Sequence, residues 1–426
     1  MTFRLLRRLR TLSDDQHPAA SYDVTVIGAG PAGTIAAALL KSAGLDVGVF
    51  EREKFPRFVI GESLLPICND VLKDANLFDR VESEGYQVKN GAVFLRGDEI
   101  CEYDFGQQFT DGASWTWQVP RAEFDNVLAE GVQARGVPIF FEHSVTDVEV
   151  GAAPRLSVEG PDGRRTDVRS RFIVDASGYG RVLPRHLALD KPSEQPRRRA
   201  LFTHVTGDKR PAGPDAGRIW VIIHREDVWI WVIPFADGRT SVGVVAPPEY
   251  YDELPDDAES CLRSIIDSNP NARERLSGVE LNFEPVAIEN YSIGVKQLFG
   301  EGYCIVGNAT EFLDPVFSSG VALAMQSARK ACGVISRQLA GEAVDWQADY
   351  ADFMMRGINT FRTFVDAWYD CTLHTIFFAR DVNQEFKSMI CSALAGYVWD
   401  LDNPFVRNHE RKLQQLLSLV QSGETV

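Results

Sequence analysis

The sequence predicts an α/β fold: a Rossmann-like parallel-sheet domain, an antiparallel β-sheet inserted into it as a substrate-side platform, and a C-terminal helical segment. Three observations predict it. An apolar strand runs directly into Gly28-Ala29-Gly30-Pro31-Ala32-Gly33 and then into a helix rich in Ala and Leu. Two further glycine-ended strands, Phe172 to Gly178 and Tyr303 to Ala309, recur far along the chain. Between them, Leu201 to Val245 falls into three apolar runs separated by Glu226-Asp227 and Asp237-Gly238, the spacing of hairpins.

The first unit, Tyr22 to Arg57, is the most informative. Val24, Val26 and Ile27 are β-branched and suit a buried strand. Gly28 permits a tight turn, Gly30 lets a pyrophosphate approach bare backbone, and Gly33 lets helix and strand pack closely. Unpaired N–H groups at the helix start favour that anion, with Ala32 in the same turn. A second strand, Asp46 to Phe50, ends in Glu51-Arg52, and Glu51 is spaced to accept hydrogen bonds from a ribose. A lone glycine fingerprint is weak evidence for a dinucleotide. Strand, glycines, helix, strand and acid in that order are strong.

A Pro- and Gly-punctuated loop follows, Phe55 to Pro66, with Arg57 and Glu62 placed where a polar cofactor can use them. A short helix, Ile67 to Ala75, leads to Lys89 at the mouth of a strand, and Trp115 to Pro120 opens a helix at Arg121. Asp175 ends the next buried strand. After the hairpins the chain returns through Gly307-Asn308 to a helix reaching about Leu339, and everything from Ala343 onward has helical spacing. There Phe353, Phe361, Phe364 and Trp368, like Leu413, Leu416, Leu417 and Val420, read as core. The expected domains are a cationic segment 1–20, a discontinuous cofactor domain 21–200 and 285–340 whose strands 90–118 can join the inserted sheet, the insertion 201–284, and a helical region 341–426.

Composition narrows the function. At 426 residues the chain exceeds one ordinary core. Its 44 basic and 60 acidic residues give a net charge of −16, which disfavours nucleic acid as partner. Seven cysteines are scattered without a CxxC pair, as expected for reduced thiols in a cytoplasm with no metal site. The start, MTFRLLRRLRTL, departs from the acidic whole: it reads either as a frayed terminus or as a cationic amphipathic helix touching a membrane surface or an acidic partner.

The three glycine-ended segments GAGPAG, VDASG and VGNAT together resemble the FAD-dependent monooxygenase superfamily. Within it, four stretches resemble the flavin-dependent halogenases over nearly the whole chain: FPRFVIGESLLP, WIWVIP at Trp229 to Pro234, FLDPVFSSG at Phe312 to Gly320, and VKNGAVF around Lys89. The resemblance implies FAD as cofactor, held by Gly28, Gly30, Ala32, Gly33, Glu51, Arg52, Arg57, Arg121, Asp175, Gly307, Asn308 and Gly320. Asn308 stands where the family keeps an aspartate, retaining a polar partner without the charge. The resemblance also implies a halide site at Ser318, Ser319 and Gly320, an essential Lys89, and reduced FAD supplied by a separate flavin reductase.

Residue chemistry agrees with these roles. Trp229 and Trp231, two apart on a strand, face one side of the sheet and can wall the flavin off from an organic substrate, leaving a small diffusing oxidant as messenger. The alternative is two ordinary core tryptophans. Lys89 can hydrogen-bond hypohalous acid or form a haloamine; a lysine without the resemblance would be a solvated surface charge. Phe317 occupies the place of the glutamate found in tryptophan-specific relatives. The expected substrate is therefore an activated phenol or pyrrole, free or tethered to a carrier. The competing expectations are an FAD-dependent dehydrogenase, reductase or monooxygenase without halogenation, and a non-catalytic flavoprotein.

Overall fold

A computed structural model describes residues 18–193, 195–289, 293–311, 313–380 and 382–422. The arginine-rich start and Phe312 lie outside the described residues.

Two sheets organise the chain. In the first, the strand Ser21–Ile27 lies between Arg165–Asp175 and Val47–Phe50, all three parallel, with Tyr303–Ile305 and Ile139–Phe140 beyond them. Val24 and Val26 stand level with Phe172 and Val174 on one side and with Val47 and Val49 on the other. The sheet is covered on both faces, which explains the unbroken apolar runs. The helix Pro31–Ser42 packs on it beside the long helix Ser319–Leu339. Small residues allow a close approach there: Cys332 Sγ lies 3.6 Å from the Ala36 carbonyl.

The second sheet has the order Glu280–Leu281, Arg199–Thr206, Thr240–Ala246, Val228–Pro234, Ile219–Arg225, Gly91–Arg96, Glu99–Asp104, with Val286–Glu289 also on Arg199–Thr206. Both expected hairpins are present. Two features correct the expectation of a purely antiparallel sheet. Ile219–Arg225 pairs with Gly91–Arg96 in parallel, so strands from early in the chain complete the sheet. Thr116–Gln118, by contrast, pairs with Gln87–Lys89 and bridges to Ser63, and stays outside it. The sheet also carries two helices, Ala258–Ser268 and Pro270–Leu276, that the sequence reading did not anticipate.

Period-two alternation sorts the strand Val228–Pro234 between two cores. Val228, Ile230 and Val232 pack with Leu262 and Ile265 under those helices. Trp229, Trp231 and Ile233 turn to the opposite face and join the main core with the cofactor-domain helices. The C-terminal helices close that core: Phe361, Phe364, Trp368, Leu413 and Leu416 are buried, as their spacing predicts, while Phe353, Leu417 and Val420 of the same stripes pack against its edge and are only partly buried. Among the described residues no helix is long and apolar enough to cross a membrane.

Candidate active site

A cavity of about 540 Å³ opens between the two sheets, a volume within the range of small-molecule and cofactor sites. At one end its wall is the glycine turn. Gly28 has φ +95°, and a Cβ there would stand 2.6 Å from the Ala176 carbonyl oxygen. A Cβ on Gly33 would stand 1.9 Å from the Gly28 carbonyl oxygen, so that glycine is required by packing alone. Gly30 differs, because its Cβ would project toward the cavity and meet only an Arg57 nitrogen at 3.6 Å. It is the one of the three that leaves room for a ligand. Ala32, Gly307, Asn308 and Gly320 lie on the same wall.

Glu51 is on the wall but also braces it: one carboxylate oxygen accepts the Ala29 N–H at 2.8 Å and the other accepts the Glu53 N–H at 3.0 Å. Arg52 lines the mouth, largely exposed and paired with Glu53. Asp175 requires a correction, since it does not line the cavity. Fully buried, it accepts the N–H groups of Ser177 at 2.9 Å and Leu183 at 2.7 Å, and so shapes the Ala176–Gly180 loop that does. Its role is to position backbone.

The loop 55–63 spans the cavity. Arg121 holds it from below: this buried guanidinium pairs with Asp125 at 2.8 and 3.0 Å and donates to the carbonyls of Ile60 at 3.3 Å and Gly61 at 3.2 Å. Arg57 shares Asp125 at 3.0 Å. Both arginines reach the wall and share the one Asp125 carboxylate. On the far side, Glu62 Oε1 lies 2.6 Å from His204 Nε2 on the strand Arg199–Thr206. Glu62 Oε2 and the Ser63 hydroxyl are buried without a hydrogen-bond partner, although both residues line the cavity. His204 carries no sequence signal, since nothing local marks it out from a core histidine.

The tryptophans form the opposite end. Their rings are 5.9 Å apart and both reach the wall. Trp231 Nε1–H donates to Ser241 at 3.0 Å, and Gly243 leaves space for its ring, since a Cβ there would come within 2.2 Å of it. Trp229 Nε1–H donates to Tyr369 Oη at 3.1 Å, and the Tyr369 hydroxyl donates to Asp314 at 2.8 Å. Tyr369, from the C-terminal helices, is a second residue that sequence reasoning missed. Asp314 also caps the Val316 N–H at 3.0 Å, fixing the turn before Ser318, whose φ of +56° is left-handed. Ser318 and Gly320 reach the cavity; Ser319 is buried off its wall. Phe317 sits edge-on to Phe364 and Trp368.

Lys89 is not the solvated surface charge that a lysine would ordinarily be: it is 1% exposed. Its Nζ donates to the Leu64 carbonyl at 2.8 Å and lies 5.6 Å from the centre of the Phe105 ring. Burial pulls its pKa from 10.5 down to about 7. The neighbouring Cys68 thiol, pushed up to about 12 by burial, brings no compensating charge at neutral pH. The lysine lines a second cavity of about 20 Å³ whose wall includes Ile219, Val316 and Ser318, residues shared with the large one. Expected cofactor residues and the expected lysine thus meet across one thin partition.

The residues fit FAD: an open glycine backbone at a helix start, arginines on the wall, and aromatic walls at the other end. A family model described as FAD binding domain matches residues 21–353. A 1H-pyrrole-2-carbonyl-peptidyl-carrier-protein chlorinase of Pseudomonas fluorescens is 28% identical, with 94% of each chain covered. A flavin-dependent halogenase of Armillaria mellea is 30% identical, covering 77% of this chain and 70% of that one. The crystal structure of a flavoprotein/dehydrogenase from Cytophaga hutchinsonii superposes with a TM-score of 0.92 at 48% identity, covering 95% of this chain and 99% of that one. The chain belongs to the flavin-dependent halogenases, with FAD as its cofactor.

Proposed function

We propose that this enzyme uses reduced FAD, O2 and halide to halogenate an electron-rich ring, a pyrrole or phenol that is free or carrier-tethered, with a separate flavin reductase supplying the reduced cofactor. FAD, when bound and reduced, supplies the oxidation of halide to hypohalous acid. The chain's residues do the rest. Trp229 and Trp231 keep a large substrate away from the cofactor. The backbone around Ser318 and Gly320, on the same wall, suits a halide at the start of the long helix.

The observation that carries the reading is the burial of Lys89 behind that wall. With a pKa near 7, a large share of the lysine is a neutral amine at working pH. That amine attacks hypohalous acid: an N–X bond forms, the O–X bond breaks, and one N–H proton leaves with hydroxide as water. The ammonium form instead donates a hydrogen bond to the hypohalous acid. An activated ring suits Phe317, which offers no base for the ring proton. The dehydrogenase reading, which the Cytophaga hutchinsonii structure's description favours, gives a buried lysine no task. The test is product mass after incubation with reduced FAD, bromide and a panel of carrier-tethered pyrrole-carboxylate and free phenols. Brominated product carries the two-isotope doublet. Halide-independent oxidation of a substrate, with no doublet from any acceptor, overturns the proposal.

A further inference from the structure

Halide oxidation consumes a proton. The net change, FADH2 + O2 + X⁻ + H⁺ → FAD + HOX + H2O, is balanced only with one proton taken up. We infer that Glu62 delivers that proton and that His204 positions its carboxyl. This inference rests on the halogenase reading.

Elimination among the described wall residues leads to Glu62. Glu51 is committed to the Ala29 and Glu53 N–H groups. Glu53 is solvent-exposed and paired with Arg52. Arg57 and Arg121 keep their protons at any working pH and are tied to Asp125. Tyr179 is exposed at the wall, and its phenol is held above its ordinary pKa, so it keeps its proton. Glu62 remains, a lining residue whose side chain is fully buried, with Oε1 on His204 and Oε2 without a hydrogen-bond partner. A buried carboxylate oxygen without a partner is costly in a resting fold and is explained by a ligand that occupies it during turnover.

The proton also answers an electrostatic difficulty. A lone carboxylate would repel a halide entering the same cavity. With the proton it delivers, Glu62 carries no charge, and the halide meets no like charge there. The aromatic rings of Phe58, Phe235 and Phe283, at 5.7, 5.2 and 5.2 Å from the imidazole, keep water from that contact. Arg121, the cation facing Glu62 from the helix Arg121–Gln133, pairs with the Asp125 carboxylate that Arg57 also shares. In the step itself, the proton leaves Glu62 Oε2 for the oxygen that departs as water, and the O–X bond forms as the O–O bond breaks. Glu62 regains a proton before the next turnover from solvent, which reaches the cavity through its mouth.

The experiment compares holoenzyme variants supplied with chemically reduced FAD. Glu62→Gln is expected to bind FAD within about threefold of wild type, to consume reduced flavin at the wild-type rate, and to lose at least about thirtyfold in brominated product, releasing peroxide instead. Hypobromous acid added directly should restore Lys89-dependent product, which places the defect before the lysine. His204→Asn leaves the carboxylate unpaired, so bromide affinity, read by quenching of bound-flavin fluorescence, should fall about tenfold; in Glu62→Gln it should hold. A Glu62→Gln enzyme that brominates within threefold of wild type overturns the inference, as does unchanged bromide affinity in His204→Asn. Wild-type enzyme that brominates nothing overturns the function instead, so the two failures are distinct.

Discussion

At the glycine end of the cofactor cavity the wall is backbone: Gly28, Gly30 and Gly33 lie within six residues, and each acts by lacking a side chain. At the tryptophan end the wall and its supports are side chains gathered from across the chain: Trp229 and Glu62 on the wall, His204, Tyr369 and Asp314 behind them, and Lys89 in the small adjoining cavity. The first end offers N–H groups and space, which suffices to hold a cofactor tightly and uniformly. The second holds polar groups in apolar surroundings, where their protonation and hydrogen bonding are perturbed enough to do chemistry. Binding and reactivity are built from different materials because they ask for different things. A nucleotide needs a fixed shape, whereas a halogen transfer needs a group held in an otherwise unfavourable state.

The largest expected effect breaks the reactive end alone. Lys89→Ala should lower halogenated product about a thousandfold, worth about 4 kcal/mol of transition-state stabilisation, while FAD binding and peroxide release continue. The measurement is product against peroxide with reduced FAD supplied chemically. Lys89→Arg should not rescue it, because a guanidinium stays protonated. Product at near wild-type rate from Lys89→Ala would dissolve the distinction between the two ends.

Next comes the energetic signature of the perturbed lysine. Its folded-state pKa is near 7 against 10.5 when unfolded, so between those values the unfolded chain binds more protons and stability rises with pH. The shift is worth at most about 5 kcal/mol. Lys89→Met should therefore stabilise the apoprotein by about 3 kcal/mol near pH 7, a gain that shrinks as pH approaches 10. Denaturant melts at several pH values measure it. An equal gain at every pH would assign the effect to packing.

The binding end is broken by Gly30→Val. Its side chain projects toward the cavity, with Arg57 as the one neighbour within 4 Å, so the fold should survive while FAD affinity drops at least about a hundredfold, or about 2.7 kcal/mol. Circular dichroism and flavin titration separate the two. By contrast, Gly33→Val should fail to fold, since the added Cβ collides with the Gly28 carbonyl.

The smallest effect sharpens where the binding end stops. Asp175→Asn turns one acceptor of two backbone N–H groups into a donor and should cost about 1–2 kcal/mol of stability. FAD affinity should change less than threefold. A larger loss would return Asp175 to the cofactor contacts.

How much was legible follows the same division. The glycine turn, its flanking strands and helix, and the hairpins around Trp229 and Trp231 were all readable, because local geometry and period-two alternation are written in consecutive residues. The resemblance pointed to Lys89, but nothing around it announced a buried amine. His204 and Tyr369 left no trace, and Asp175 was misjudged because a glycine-ended acidic strand looks alike whether its carboxylate faces a ligand or braces a loop. The two helices Ala258–Ser268 and Pro270–Leu276 were missed although the first has an apolar face, because the whole of 201–284 was assigned to the inserted sheet.

By itself, then, the sequence determined the parallel-sheet nucleotide unit, the face on which the two tryptophans project, and the helical character of the last 80 or so residues. Each of these is set by contacts between near neighbours in the chain, a few residues apart on a strand or helix. Only the tertiary structure decided that Glu62 meets His204 across 142 positions, that Trp229 meets Tyr369 across 140, and that the Leu64 carbonyl receives the amine of Lys89. Those contacts are set by how two sheets and a layer of helices stack. The energy of one buried hydrogen bond, about 1 kcal/mol, is too small to mark its partners in the surrounding sequence.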